Sequence, residues 1–460
     1  MKKVVVFAFL IGLLSGACKK DSGWISLFDG HSLHGWHRVG GEAQYLVEDN
    51  AITGVTVMHT ENSFLCTDSV YGDFILELDV KVDDRLNSGI QIRSNSYPDY
   101  KNGRFHGYQV EIDPDPVRAR FWSGGIYDEA RRGWLYDLSE NEPARKAFKN
   151  NAWNRYRIEA IGDTIKTWIN GVPAAYIIDN VTPSGYIGLQ VHSIGNDSTK
   201  NHIKVQWKNI RIMTDPQMIA KNSTPSPLTP KVYLYNQLTQ EEKAAGWKLL
   251  FDGKTTNGWK GAYRDSFPKT GWIVRDQAIT VLESGGGEAQ HGGDIVTLDM
   301  YKNFELSLEF AITEGANSGI KYYVTEKEEG NPGSAFGLEF QILDDEKHPD
   351  AQCGTNGNRT MGSLYDLIAA DTAKVVKKIG EWNHARIVSK DNHVEHWLNG
   401  VKVVEYERGS TEYRKRVAKS KYADPKYNTH GPFGEAEEGR ILLQDHGNTV
   451  SFRNIKIREL

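Results

Sequence analysis

An all-β protein made of two tandem β-sandwiches is what this chain predicts, and three observations carry the expectation. Period-two alternation dominates the sequence, Asn-Gly pairs separate alternating runs as hairpin turns, and one ordered set of motifs occurs twice along the 460 residues. The length suits two domains that each bury a core, whereas a single domain of that size would be unusual.

At the N-terminus, Lys2 and Lys3 precede an apolar run from Val4 to Leu14 and then Ser15-Gly16-Ala17-Cys18. This is the pattern of a signal peptide over residues 1–18. Small residues before a cysteine resemble a bacterial lipobox in which Cys18 becomes the lipidated first residue, although Ser15 stands where leucine is usual. The apolar run is too short to span a bilayer, so the expected anchor is acyl chains rather than a helix. An exported bacterial lipoprotein follows, periplasmic or on the cell surface and membrane-bound through its lipid. After Cys18 only Cys66 and Cys353 remain, which excludes a disulfide framework; both are expected to be buried apolar residues.

The repeat is explicit. Trp24-Ile25-Ser26-Leu27-Phe28-Asp29-Gly30 with Gly35-Trp36 recurs as Trp247-Lys248-Leu249-Leu250-Phe251-Asp252-Gly253 with Gly258-Trp259. Asn87-Ser88-Gly89-Ile90 recurs as Asn317-Ser318-Gly319-Ile320, each preceded by an alternating strand, Phe74 to Val82 and Phe304 to Ile312. Trp153-Asn154 with Trp168-Ile169-Asn170-Gly171 recurs as Trp382-Asn383 with Trp397-Leu398-Asn399-Gly400, and Lys208 to Ile212 matches Arg453 to Ile457. The first copy is expected over 22–214 and the second over 247–460. Between them, 215–246 contains the Pro/Ser/Thr stretch Ser223 to Pro230, typical of an extended linker, and ends in Thr239-Gln240-Glu241-Glu242, a capping-box start for a short helix that Gly246 would stop. A helix is also expected from Thr411 to Lys421, in an insertion without counterpart in the first copy.

A net charge of -5 with acids and bases interspersed leaves no electrostatic footprint for nucleic acid. Neutral partners are favoured. Twelve tryptophans and twenty-one tyrosines suit the covering of sugar faces, and an aromatic-rich core accounts for them equally well.

Phe251-Asp252-Gly253, Asn317-Ser318-Gly319-Ile320, Gly337 to Ile342, Trp382-Asn383, Trp397 to Gly400 and Leu443-Gln444-Asp445-His446-Gly447 together resemble the DUF1080 domain, also named the 3-keto-disaccharide hydrolase domain. The first copy resembles a divergent branch through Gly107 to Ile112, Gly124 to Asp128 and Leu189 to His192. The resemblance implies two tandem concanavalin A-like jelly-roll sandwiches, a periplasmic or surface lipoprotein, and activity on glycosides oxidised at C3.

Alternation places Glu339 with Gln341 on one face, opposite Leu338, Phe340 and Ile342, and likewise Gln109 with Glu111, carboxylate and amide being exchanged in order. Gln444 with His446, and Gln190 with His192, form further same-face pairs. Such a set suits a ketosugar. The C3 carbonyl acidifies the C2 proton, which a carboxylate (Glu339, Glu111) or imidazole (His446, His192) can remove, while amides or phenols stabilise the enolate and the C1 substituent departs. Water added afterwards gives net hydrolysis, so lyase and hydrolase share an intermediate. Tyr365, and Tyr127 in competition with Tyr136, are candidate proton donors; Arg93 and Arg131 could add positive charge, and His291 lies in a glycine-rich loop. A solvated sheet face explains a Glu-x-Gln pair equally simply, and repetition in both copies is what favours catalysis. Asn87, Asn317, Asp29 and Asp252 are expected to brace turns.

No cofactor is predicted. Gly285-Gly286-Gly287 lacks the Lys-Ser/Thr of a phosphate loop, and Asp344, Asp345, His348 and Asp350 are of types that hold a divalent cation, although a polar loop explains them as well. Two other functions stay open: a two-carboxylate glycosidase, disfavoured by a single strong carboxylate per site strand, and a non-catalytic carbohydrate-binding lipoprotein. Val191 stands where the second copy has Asp445, which places the first copy's activity in more doubt.

Overall fold

The structure is a computed structural model describing residues 23–326, 334–428 and 431–460; the segment expected to be a signal peptide, with Cys18, lies outside the described residues. The chain divides into two compact units, one comprising the described residues up to Ile178 with Pro183–Lys231, the other Asp179–Thr182 with Val232–Leu460. Each is a jelly-roll β-sandwich of two antiparallel sheets.

In the first unit, one sheet runs in the order Val172–Asp179, Thr164–Ile169, Asn154–Ile161, Phe74–Val82, Lys204–Met213, Ala51–Val55, Gln44–Glu48. The facing sheet runs Gly133–Tyr136, Ile126–Glu129, His106–Ile112, Ser88–Asn95, Tyr186–Val191, Ser63–Thr67, Trp36–Gly40. Phe74–Val82 shows why: Phe74, Leu76, Leu78, Val80 and Val82 are buried on one face, while Glu77 and Asp79 on the other pair with Arg155, Arg157 and Arg211.

The second unit repeats the plan. Trp272–Arg275, Ala278–Val281, Val450–Glu459, Phe304–Ile312, Asn383–Lys390, His393–Leu398 and Val401–Glu407 form one sheet, and Trp259–Gly261, Ile295–Thr297, Arg440–Leu443, Asn317–Val324 and Leu338–Leu343 the other. Phe304, Leu306, Leu308 and Phe310 meet Ile320, Phe340, Ile342, Ile441 and Leu443 in a continuous apolar core.

The repeated motifs are mostly scaffold. Trp36 Nε1 donates to Leu27 O at 2.7 Å and Trp259 Nε1 to Leu250 O at 2.6 Å, so each indole ties its Phe-Asp-Gly loop to the sheet. Asp29 and Asp252 brace those loops through backbone N–H groups two and three residues ahead. Ser88 Oγ donates to Gln190 O at 2.7 Å and Ser318 Oγ to Gln444 O at 2.8 Å, stitching neighbouring strands. Asn170 and Asn399, each at positive φ before a glycine at positive φ, make the expected hairpin turns and reach back to Asn154 and Asn383.

Three local features differ from the sequence expectation or refine it. Cys353 is exposed, because it closes a polar 3₁₀ turn over Pro349–Gln352 rather than lying on a strand, whereas Cys66 is buried as expected. The segment after Met213 is not simply extended: Pro216–Asn222 is helical, capped by Asp215, and buries Ile219 on Ile75 and Met213. The expected helices appear at Gln240–Ala244, with its capping box complete, and at Thr411–Val417, ending before Lys421.

Candidate active sites

In the second unit the Asn317–Val324 strand lies between Leu338–Leu343 and Arg440–Leu443. Leu338, Phe340 and Ile342 enter the core, so Glu339 and Gln341 emerge on the other face, with Lys321 paired across from Glu339 and Gly319 across from Gln341. A Cβ on Gly319 would stand 2.2 Å from Glu339 Oε1; the glycine of Asn-Ser-Gly-Ile leaves room for the carboxylate to lie over the strand. Asn317, Lys321 and Gln444 complete a polar floor, with Gln341 Nε2 donating to Asn317 Oδ1 at 3.3 Å.

Around this floor is a cleft of about 300 Å³ whose walls carry Glu288, His348, Asp350, Tyr365, Lys421, Tyr422 and His446. Glu288 comes from the glycine-rich loop, which the buried Asp445 carboxylate holds by accepting from Gly292 N and Gly293 N at 3.0 and 2.8 Å. Tyr365 OH donates to Asp350 Oδ2 at 2.8 Å, and Arg359 fixes Asp350 and Asp366 together, each at 2.8 Å. Lys421, from the insertion, is seated by Asp366 accepting from its backbone N–H at 2.8 Å, and its ammonium lies 4.2 Å from the Tyr365 ring centre.

The floor is a charge network in low dielectric. Burial raises the Glu339 carboxyl, with Lys321 and Lys421 opposing. Burial acts against charge on Lys321, yet Asp294, Glu339 and Glu288 hold its ammonium above its ordinary range; Asp294 and Glu288 each lie 3.6 Å from it. Asp294, wholly buried, is pushed up to about 7 by desolvation, Lys321 opposing. Lys421 is lowered by burial, with Glu339 acting in the opposite sense. Tyr365 is raised by burial and by Asp350, so it stays a phenol able to donate, and burial lowers His446 towards the neutral imidazole.

The first unit has a cleft in the same place on its own sheet, about 460 Å³, lined by Asn87, Gln109, Glu111, Arg104, Arg118, Arg120, Tyr127, Glu129, Trp134 and His192. Gly89 pairs with Glu111 and Gln91 with Gln109, so Glu111 stands at the Gln341 position and Gln109 at the Glu339 position. Asn87 Nδ2 and Gln109 Nε2 donate to the two Glu111 oxygens at 2.5 and 2.9 Å, and burial raises the Glu111 carboxyl to about 7. Tyr127 pairs with Gln109 as Tyr365 N–H meets Glu339 O, which makes Tyr127 rather than Tyr136 the counterpart of Tyr365.

Glu339, Gln341, Tyr365, Gln444 and His446 converge in one cleft, and Gln109, Glu111, Tyr127 and His192 in the other. Four expected site residues do not line either cleft. Arg93 sits at a bulge with φ of 45°, which turns its guanidinium to Gly72 O, Gly162 O and Asp73. Arg131 is buried against Asp128, over the Tyr108 ring. His291 is exposed in its loop, whose contribution is Glu288. Gln190 is fully buried, beside Phe64 on the neighbouring strand. Asn87 and Asn317 belong to the clefts rather than to turns. The four candidate cation ligands part company: Asp344 accepts from Gly315, Glu346 and Lys347 N–H groups and Asp345 pairs with Lys374, leaving His348 and Asp350 in the cleft. Glu339 is the one carboxylate on the Leu338–Leu343 strand, and Glu288 and Asp350 bring two more to the cleft from outside it. Lys321 was legible from parity, two residues after Gly319; Lys421 and Tyr422 carried no such signal.

The model of the 3-keto-alpha-glucoside-1,2-lyase-like domain matches this sequence twice, over residues 23–213 and 246–458. The chain belongs to this family. A 3-keto-disaccharide hydrolase of Bacteroides thetaiotaomicron is 40% identical over 234 residues, 47% of this chain and 79% of the relative. Among solved structures, a candidate glycosyl hydrolase from Parabacteroides distasonis is 34% identical, covering 49% of this chain and 100% of its own, with a TM-score of 0.42. A carbohydrate binding module from Bacillus subtilis is 19% identical over 38% of this chain and 94% of its own, with a TM-score of 0.26.

Proposed function

We propose that the second domain cleaves glycosides whose sugar carries a ketone at C3. The deciding observation is a buried carboxylate, Glu339, facing the ammonium groups of Lys321 and Lys421 in a cleft ringed by amide and phenol donors. Glu339 takes the C2 proton; the C–H electron pair becomes the enolate, whose oxygen the ammonium groups and side-chain amides stabilise. The enolate then expels the C1 substituent, the C1–O pair leaving with the aglycone and being protonated by Tyr365 or His446. Elimination leaves an unsaturated ketosugar, and water added across it completes hydrolysis. The relative named a 3-keto-disaccharide hydrolase supports this choice of substrate.

A carboxylate-pair glycosidase is favoured by one observation, that Glu288 and Asp350 line the same cleft as Glu339. Product analysis with a glucoside and its 3-keto derivative separates the two. The keto reading expects cleavage of the keto form alone, deuterium uptake at C2 in heavy water, and a loss of about a hundredfold or more in Glu339→Gln. Equal cleavage of the unoxidised glucoside, or full activity in Glu339→Gln, would sink it. Export and anchorage through Cys18 are part of the same proposal, tested by fatty-acid labelling of wild type against Cys18→Ser.

A further inference from the structure

The two clefts share a scaffold but not a floor. Ser88 and Ser318 make the same bond to the neighbouring strand, which aligns Gln190 with Gln444 and therefore Gln91 with Lys321 and Gln109 with Glu339. Gln190 pairs with Phe64; carrying the Ile295–Leu443 pairing one residue on sets Asp294 opposite Gln444, so Phe64 stands in the place of Asp294. The base, its ammonium partner and the buried second carboxylate have become Gln109, Gln91 and Phe64. Gln91 Nε2 donates to Gln109 Oε1 at 2.8 Å, an uncharged replacement for the pair in the second domain.

The remaining carboxyl, Glu111, has an amide donor on each oxygen and is almost wholly buried, so it is fixed as a hydrogen-bonding hub. The walls carry the guanidinium groups of Arg104, Arg118 and Arg120 and the carboxylates of Glu61 and Glu129, and each guanidinium has an acidic partner. Arg104 pairs with Glu129, Arg118 with Asp115 and Arg120 with Asp113, which leaves little net charge to offer an anion. Trp134 lines the cleft beside Tyr127, which meets it edge-on at 5.2 Å, and is braced by Trp122 edge-on at 4.7 Å and the Arg120 guanidinium 5.6 Å from its ring centre, so a braced aromatic wall stands beside clustered hydrogen-bonding groups. Aromatic faces with amide and carboxyl edges suit the apolar faces and equatorial hydroxyls of a sugar ring.

We infer that the first domain's cleft is a binding site for a neutral, unoxidised glycan, which it holds uncleaved. This takes the second domain as the cleaving site, and the two are tested by separate readouts. Calorimetric titration of the full chain with cellobiose, maltose and sucrose as separate probes is expected to give binding of at least one sugar, retained in Glu339→Gln and weakened tenfold or more in Trp134→Ala. Arg118→Ala, at an exposed residue, guards against misfolding and should weaken binding severalfold. Cleavage of a 3-keto-glucoside should be unchanged in both first-domain variants. The inference is overturned if none of the three sugars binds, if binding disappears with Glu339→Gln but survives Trp134→Ala and Arg118→Ala, or if either first-domain variant or Glu111→Gln abolishes cleavage. Failure of the wild-type chain to cleave the keto-sugar would refute the second-domain assignment while leaving the titration to report on the first.

Discussion

Replacing Glu111 by glutamine should change how the first domain's stability responds to pH. Burial raises this carboxyl from 4.5 to about 7, so the folded state keeps a proton that the unfolded state has released. The stabilising contribution is complete below the unfolded value and is lost as pH rises through the folded one. That rise corresponds to on the order of 3 kcal/mol, nearly all of it lost between about pH 4 and about pH 8. For a domain of this size that is a fall in midpoint of about 10 °C attributable to one group. Glutamine mimics the protonated acid well, since either form sets one donor against Asn87 or Gln109, so the variant should lose some stability at low pH and gain on the wild type as pH rises. Scanning calorimetry of both proteins across that range measures the difference directly, with other titrating groups cancelling. Parallel pH dependences would refute the assignment of a proton to Glu111 in the folded domain.

Gly319→Ala should cut turnover of a 3-keto-glucoside tenfold or more with little loss of fold, because the added methyl lands 2.2 Å from Glu339 Oε1; unchanged kcat would show that the carboxylate position is unimportant. Tyr365→Phe removes a phenol bonded to Asp350 and should lower kcat about a hundredfold, least with an activated leaving group such as nitrophenol. A thiol reagent should label Cys353 in the native protein and reach Cys66 only on unfolding, as peptide mapping can verify, because burial raises the Cys66 thiol and shields it.

Alternation suffices to set Glu339 and Gln341 against the core-facing Leu338, Phe340 and Ile342, and repetition suffices to pair them with Gln109 and Glu111. The same parity extends to Lys321, but a lysine inside an otherwise buried strand has no meaning until Asp294 and Glu288 are beside it. Arg93 shows where period-two counting breaks. Its positive φ, shared by Tyr323 in the second domain, adds a bulge that sends the side chain away from the cleft face. Lys421 and Tyr422 reach the cleft from an insertion whose path depends on the 3₁₀ turns around them and on Asp366, contacts far apart in sequence. Gln190 has the right parity and yet does not line the cleft, since parity gives a face and not the depth at which a residue lies on it.

The floor of the second cleft constrains the order in which its residues can be exchanged. Lys321 balances Asp294, Glu339 and Glu288, so Lys321→Gln on its own would strand buried negative charge at a cost of several kcal/mol. Asp294→Phe and Glu339→Gln lower that charge first, leaving Lys321 with Glu288 as its remaining carboxylate partner there, so that its replacement then strands less charge and costs less. A laboratory conversion of one cleft into the other should therefore succeed along some mutational routes and fail along others that reach the same final sequence. The passable intermediates are those in which the buried acids are reduced before Lys321 is replaced.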